Sequence, residues 1–120
     1  MTAPIGMPER TMVAGIPFTV ETSPGIHIED GDGDDAKHYD VLGLCRSDAQ
    51  VITIATEQGP DRLRETFLHE HLHAMFDAAG LRDTLTFDQD ESVAKRLAPI
   101  LLQFLRVNRQ ALFFMLRETP

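Results

Sequence analysis

Residues 61–80 read Asp-Arg-Leu-Arg-Glu-Thr-Phe-Leu-His-Glu-His-Leu-His-Ala-Met-Phe-Asp-Ala-Ala-Gly, and this stretch predicts a long amphipathic helix. Pro60 and Asp61 suit a first helical turn, where proline loses no hydrogen bond and an acidic side chain meets the positive end of the helix dipole. Gly80 suits the end of the helix. Apolar residues recur at spacings of three and four and form a stripe that can pack on the rest of the protein: Leu63, Phe67, Leu68, Leu72, Met75, Phe76 and Ala79.

The predicted helix carries His69-Glu70-His71-Leu72-His73, a motif of the form His-Glu-x-x-His. Residues four apart lie on one helix face, about 6 Å apart along the axis, so His69 and His73 can bind one metal ion. Glu70 is turned by about 100° from His69 and would reach a metal-bound water rather than the metal. The motif therefore predicts a zinc site with His69 and His73 as ligands and Glu70 as general base. The alternative is a polar helix face or a buried histidine pair without metal.

A catalytic zinc ion needs a third protein ligand and an open position for water. No histidine follows His73, so the predicted third ligand is a carboxylate. Glu91, near the start of the next predicted helix, is the first candidate, with Asp88 and Asp90 as substitutes. The alternative for Glu91 is a structural role, because Asp88 and Glu91 have the spacing of a helix capping box.

The sequence before this helix predicts strands. Residues 1–15 show no periodicity and are expected to form a flexible arm in front of a domain over 16–120. Residues 16–22 alternate apolar and polar positions and predict a strand that lies at a sheet edge or begins after Pro17, because proline donates no hydrogen bond.

Two further runs, 40–46 and 50–56, are rich in β-forming residues and are joined by a short polar link. They predict an antiparallel hairpin that leads directly into the helix. In this position, an edge strand beside the motif helix could bind an extended peptide through main-chain hydrogen bonds.

The sequence after Gly80 predicts two more helices. One opens at residues 89–93, has an apolar face and is expected to bend at Pro99. The other spans 109–117, can be capped by Asn108 and is expected to pack its apolar side chains on the core. The predicted fold class is thus α+β: a single small domain in which a short antiparallel sheet packs on the motif helix and on a following ligand-bearing helix.

Two other features of the sequence have alternative interpretations. Residues 30–35 begin like a calcium-binding loop, but Asp35 stands where glycine is needed and Val41 where a glutamate is needed. A solvated acidic loop is therefore the preferred interpretation. Tyr39 and His71 are candidate donors to an oxyanion, beside the metal ligands.

The composition limits the classes of partner. The chain has 120 residues, a net charge of −8 and no run of basic residues, so nucleic acid is not an expected partner, whereas a neutral or basic polypeptide is. The lone Cys45 forms no internal disulfide, and no secretory leader or membrane-spanning segment is apparent, so we expect a cytoplasmic protein without membrane contact.

His-Glu-x-x-His followed by a glutamate on the next helix resembles the gluzincin group of zinc metallopeptidases. Residues 39–56, 68–74 and 90–93 together resemble the small metallopeptidases of phages and mobile elements related to the ImmA/IrrE group. The resemblance implies a compact α+β zincin-like domain that cleaves regulatory proteins. It also implies that His69, His73 and Glu91 bind zinc and that Glu70 activates water. His71 departs from the group, which often has a small or aliphatic residue there.

Two alternative functions remain, one that keeps the metal ligands and one that needs no metal. A catalytically silent, zinc-stabilised binding or assembly protein of a phage or mobile element would keep the ligands but hydrolyse no peptide. A purely structural protein would contain no metal and would stay folded in a chelator.

Overall fold

A computed structural model of the protein describes residues 4–30 and 37–117, with the side chains of residues 30 and 37–40 excepted. The predicted α+β class is confirmed, with a mixed sheet and three helices. The strands are β1 (Arg10–Val13), β2 (Ile16–Ser23), β3 (Ile26–Asp30), β4 (Lys37–Val41), β5 (Gly43–Arg46) and β6 (Val51–Ala55); the helices are α1 (Pro60–Ala78), α2 (Phe87–Val107) and α3 (Arg109–Leu116). A 3-10 helix, Leu81–Asp83, connects α1 to α2.

Four strands form one sheet in the order β1-β2-β6-β5. The predicted hairpin is present as β5 and β6, which pair antiparallel through a turn in which Gln50 has a positive φ of 57°. Strand β2 pairs parallel with β6, so the sheet is mixed rather than purely antiparallel as predicted. This arrangement places β5 at the sheet edge and leads β6 directly into α1.

The prediction of a flexible arm over residues 1–15 is wrong for β1, which pairs antiparallel with β2. Val13 lies in the core with only 4% of its surface exposed, and four residues were too few to show a period in the sequence. Strand β2 is interior, although an edge was one expectation for it. Pro17 is tolerated there because pairing with β6 begins only at Thr19, so no donor is needed from the proline on that side.

A second sheet consists of β3 and β4, which pair antiparallel. The sequence prediction missed β3 and merged the end of β4 with β5 into one strand over residues 40–46. The proposed acidic loop at residues 30–35 lies outside the described residues, except for the backbone of Asp30 at the end of β3.

Helix α1 begins and ends as predicted, with Pro60 in its first turn and Gly80 in the left-handed conformation just beyond its end. It is buried on two faces. Leu63, Phe67 and Ala74 pack against the sheet, whereas Leu68, Leu72 and Phe76 pack against α2. Between these two faces, the helix borders a cleft.

Helix α2 begins earlier than predicted and continues through Pro99 to Val107. The expectation that α3 packs on the core is wrong: Phe113, Phe114 and Leu116 are each more than three-quarters exposed. Asn108 makes no side-chain cap to α3 and instead donates to the Phe104 carbonyl oxygen. In the part of the chain that the structure describes, no helix is long and apolar enough to cross a membrane.

Candidate metal centre

Three predicted ligands meet where α1 lies against the start of α2. The His69 and His73 Nε2 atoms are 3.1 Å apart. The two carboxylate oxygens of Glu91 lie 3.0 Å from His69 Nε2 and 2.9 Å from His73 Nε2. Ligand atoms held about 2.0–2.1 Å from a tetrahedral ion are about 3.3 Å from one another, which is close to these separations. The group of His69, His73 and Glu91 could therefore hold a metal ion.

The contact with Asp90 determines which nitrogen of the His73 ring can act as a metal ligand. His73 Nδ1 makes a very short contact with the Asp90 carboxylate, which only accepts hydrogen bonds, so Nδ1 carries the proton. In the neutral ring, Nε2 then presents a lone pair toward Glu91 and His69. Burial lowers the pKa of His69, against the opposing effect of Glu91, and so favours a second neutral imidazole. Lone pairs that converge in this way are satisfied by a shared cation.

Glu91 does not cap α2, so the structural alternative for this residue is wrong. The cap is Thr86, whose hydroxyl accepts from the Gln89 backbone N–H while the Gln89 side chain accepts from the Thr86 backbone N–H. Thr86-x-x-Gln89 is itself a capping-box sequence, and this signal could have located the helix start. Because the helix begins at Phe87, Glu91 lies in its second turn and faces α1.

Asp90 orients a ligand rather than joining the ligand group. Its carboxylate accepts from His73 Nδ1, on the side of the ring away from His69 and Glu91. Such a contact fixes the ring and raises the basicity of the opposite nitrogen. The sequence prediction considered Asp90 only as a substitute ligand and missed this role.

Glu70 lies beside the ligand group, with its Oε2 atom 3.9 Å from His69 Nε2. It is only 7% exposed, and burial raises its pKa to about 7, with His73 lowering it and Glu91 raising it. The Glu70 carboxyl group is therefore close to the candidate metal ligands and able to exchange a proton near neutral pH.

Gly43 lets the edge strand β5 approach Glu70 closely. A Cβ atom at this position would lie 2.7 Å from Glu70 Cγ and 2.8 Å from Thr66 Cγ2, which is closer than atoms can pack. The sequence prediction did not assign Gly43 a role, although a glycine inside a strand pattern can indicate a close approach.

Side-chain hydrogen bonds hold the end of β5 beside α1. Thr66 donates to the Gln58 amide oxygen at 2.9 Å, and the Gln58 amide nitrogen donates to the carbonyl oxygens of Ala55 and Leu42. These bonds tie the loop before α1 to both strands of the hairpin. They thereby fix the sheet edge relative to the helix that carries the histidines.

His71 lies on another side of α1, about 200° from His69 and His73 around the helix. Its Nδ1–H donates to the Phe67 carbonyl oxygen at 2.7 Å, so its Nε2 accepts from the Thr11 hydroxyl at 2.8 Å. Burial lowers its pKa, which the hydrogen bond to Phe67 partly opposes, and favours this neutral form. His71 is thus a structural residue that attaches β1 to α1, and its prediction as an oxyanion donor is wrong. The Tyr39 side chain, the other predicted donor, lies outside the described residues.

A cleft of about 950 Å³ opens over His69, His73 and Glu91. One wall is α1 with His69, Glu70 and His73, and another is the start of α2 with Asp90 and Glu91. Five consecutive residues, 41–45, line the opposite side. Side chains alternate along a strand, so a continuous run of lining residues indicates that this segment presents its edge to the cleft.

Comparisons of the chain with protein-family models, with curated proteins and with solved structures found no match. The resemblance to gluzincins and to the ImmA/IrrE group therefore stays a prediction from the residues themselves.

Proposed function

We propose that this protein is a zinc-dependent metallopeptidase that hydrolyses peptide bonds, with Glu70 as its general base. The observation that carries the proposal is the convergence of His69, His73 and Glu91 beside a buried Glu70 in an open cleft. The resemblance to gluzincins, and to small metallopeptidases of phages and mobile elements, agrees with the same assignment of residues.

The ligand set favours zinc over other metals. Two imidazole nitrogens with one carboxylate form a set used by catalytic zinc sites, which keep one position open for water or substrate. Hard cations such as calcium and magnesium prefer oxygen ligands instead. When bound, zinc supplies Lewis-acid chemistry, by lowering the pKa of water toward about 7 and polarising a carbonyl group.

Glu70 is placed to move the proton of the reaction. Its carboxylate lies beside the ligand atoms and is not one of the three. With zinc bound, the Glu70 carboxylate could take a proton from the attacking water and later donate it to the leaving amine. Asp90 contributes indirectly, because it holds the His73 ring in the orientation that presents Nε2 to the cleft.

An extended polypeptide fits the edge of the sheet. Strand β5 pairs with β6 on one side, and within the described residues no strand pairs with its other side. A peptide bound along this edge would form main-chain hydrogen bonds and lie across the face of α1 that carries Glu70. This mode selects extended segments of protein as substrates, and side chains that line the cleft would set the preferred sequence.

Elemental analysis and a peptide-library digest of the purified protein test the proposal together. We expect one zinc per chain and hydrolysis that stops in chelator. Glu70→Gln should keep the zinc and lose hydrolysis, whereas Glu57→Gln, an exposed glutamate in the loop before α1, should keep both. Zinc without hydrolysis of any peptide would assign the site to a zinc-stabilised binding protein. A metal-free protein that stays folded in chelator would reject the metal site.

Gly43→Ala tests whether the close approach of β5 to Glu70 is needed. The added methyl group would overlap Glu70 and Thr66, so we expect hydrolysis to fall strongly while zinc is retained. Gly25→Ala is the matched control, since a Cβ there meets nothing within 4 Å. Wild-type hydrolysis in Gly43→Ala would show that the position of Glu70 against the edge strand does not matter.

A further inference from the structure

The charges of the chain are strongly segregated along its length. Residues 92–117 contain five of the 11 lysines and arginines and none of the 19 acidic residues. The rest of the chain therefore carries an even larger negative charge than the net −8 indicates. With Glu118 included, residues 92–120 carry a net charge of +4 and residues 1–91 a net charge of −12.

Most of the exposed large apolar side chains of the described helices lie in the same part of the chain, with Met75 and Phe87 as the exceptions. We call the following set the C-terminal apolar surface: Ile100, Phe104 and Val107 of α2, and Phe113, Phe114, Met115 and Leu116 of α3. The α2 members lie at spacings of three and four on one side of that helix, away from Ala94 and Ala98, which are buried against α1. The exposed stripe ends at Val107, just before α3 begins.

The second half of helix α3 is largely exposed, whereas Ala111 and Leu112 are half-buried. Its residues 113–116 are consecutive, so their side chains point about 100° apart around the axis, and each is between 56% and 81% exposed. The interface of a lipid bilayer takes up such apolar side chains together, while the polar side of the helix stays at the headgroups.

Cations flank this helix. Arg109 begins α3 and Arg117 follows it, and together with Gln110, Phe113 and Phe114 they line a shallow cavity of about 430 Å³. Two arginines and two phenylalanines that line one cavity suit an anionic group above apolar chains, because arginine can extend its charged end toward water while its stem stays on apolar surface.

We propose that the C-terminal apolar surface binds the interface of an anionic lipid bilayer, with Arg109 and Arg117 at the phosphate groups and the α3 side chains among the acyl chains. Eight residues of helix extend only about 12 Å, so α3 lies in the interface and does not span the bilayer. The acidic remainder of the protein is repelled by the same lipids, which orients the molecule with α3 toward the membrane. This proposal does not depend on the metal site, and it replaces the expectation from the sequence that the protein makes no membrane contact.

A second copy of the chain fits the surface less well. A two-fold contact would bring the arginines of both copies together, and Glu118 is the single acidic residue within positions 92–120 to compensate them. Charge complementarity therefore favours an anionic partner.

Vesicle sedimentation tests the proposal. The wild-type protein should bind vesicles of equal phosphatidylglycerol and phosphatidylcholine but not phosphatidylcholine alone. Binding should weaken as salt rises from about 0.1 M to about 1 M, because screening shortens the range of the attraction. Circular dichroism confirms that each variant below is folded.

Two pairs of matched variants separate the apolar and the charged contributions. Phe114→Ser should lower the partition coefficient about tenfold, whereas Phe87→Ser, a similarly exposed phenylalanine at the other end of α2, should not change it. Arg109→Gln with Arg117→Gln should weaken binding to anionic vesicles, whereas Arg46→Gln with Arg64→Gln, which removes equal charge from the acidic part, should not.

Three results would overturn the proposal. One is no binding to anionic vesicles, or equal binding by Phe114→Ser and the wild type. Another is a wild-type dimer that Phe114→Ser makes monomeric, without vesicle binding, since this would assign the surface to a second copy. The third is binding of an oligonucleotide in place of vesicles, lost in the arginine variant and kept in Phe114→Ser.

Discussion

Two sides of helix α1 carry chemically identical side chains with opposite roles. On the cleft side, the Nε2 atoms of His69 and His73 lie 3.1 Å apart, and they lie 3.0 Å and 2.9 Å from the two carboxylate oxygens of Glu91. On the side next to β1, His71 satisfies both ring nitrogens with a backbone carbonyl and a threonine hydroxyl. The difference lies in the partners: a ring whose two nitrogens are already hydrogen-bonded stabilises the fold, whereas rings with converging lone pairs are available to a metal.

The largest expected effect is a loss of zinc binding, and it distinguishes the histidines on the two sides of α1. His69→Ala or His73→Ala should abolish zinc binding, because each variant leaves two ligands. His71→Ala should keep zinc but lower the free energy of unfolding by about 1–3 kcal/mol, since the half-buried Thr11 hydroxyl loses its hydrogen-bond partner. Zinc titration and urea unfolding of the zinc-free variants measure the two quantities. Stoichiometric zinc in the double variant of His69 and His73, or loss of zinc in His71→Ala, would contradict the comparison.

Asp90→Asn is expected to have an intermediate effect, a reduced zinc affinity of the site in the cleft. An amide at this position no longer attracts the His73 Nδ1 proton as strongly, so zinc affinity should fall about 10–100-fold without loss of the site. Asp88→Asn, an exposed neighbour on the same helix turn, is the matched control. Competition with a zinc-binding dye gives the affinities, and equal affinities in the two variants would exclude the orienting role of Asp90.

The smallest effect concerns the start of α2, which supplies Glu91 to the cleft. Thr86→Ala removes the helix cap and should lower the free energy of unfolding by about 0.5–2 kcal/mol while zinc affinity stays near wild type. Glu91→Gln leaves the cap intact and should instead weaken zinc binding sharply. A Thr86→Ala variant with unchanged stability, or a Glu91→Gln variant with unchanged affinity, would show that the two roles are assigned wrongly.

Local signals in the sequence were sufficient for α1. Apolar spacing, Pro60 and Gly80 located the helix, and spacing of four placed His69 and His73 on one face, because helical periodicity depends only on neighbours in the chain. Glu91 was found by elimination, since no histidine follows His73. The first two residues of α2, Phe87 and Asp88, were missed because the capping box Thr86-x-x-Gln89 was not used to locate the helix start.

Only the tertiary structure decided what each of these residues contacts. Strand β1 could not be predicted from four residues, since its stability comes from pairing with β2 and from His71, which is sixty positions away. Asp90 and Gly43 acquire their roles from α1, which lies distant in sequence from both. Residue spacing defines which side chains share one helix face, whereas packing between elements determines which of them meet a ligand, a strand edge or solvent.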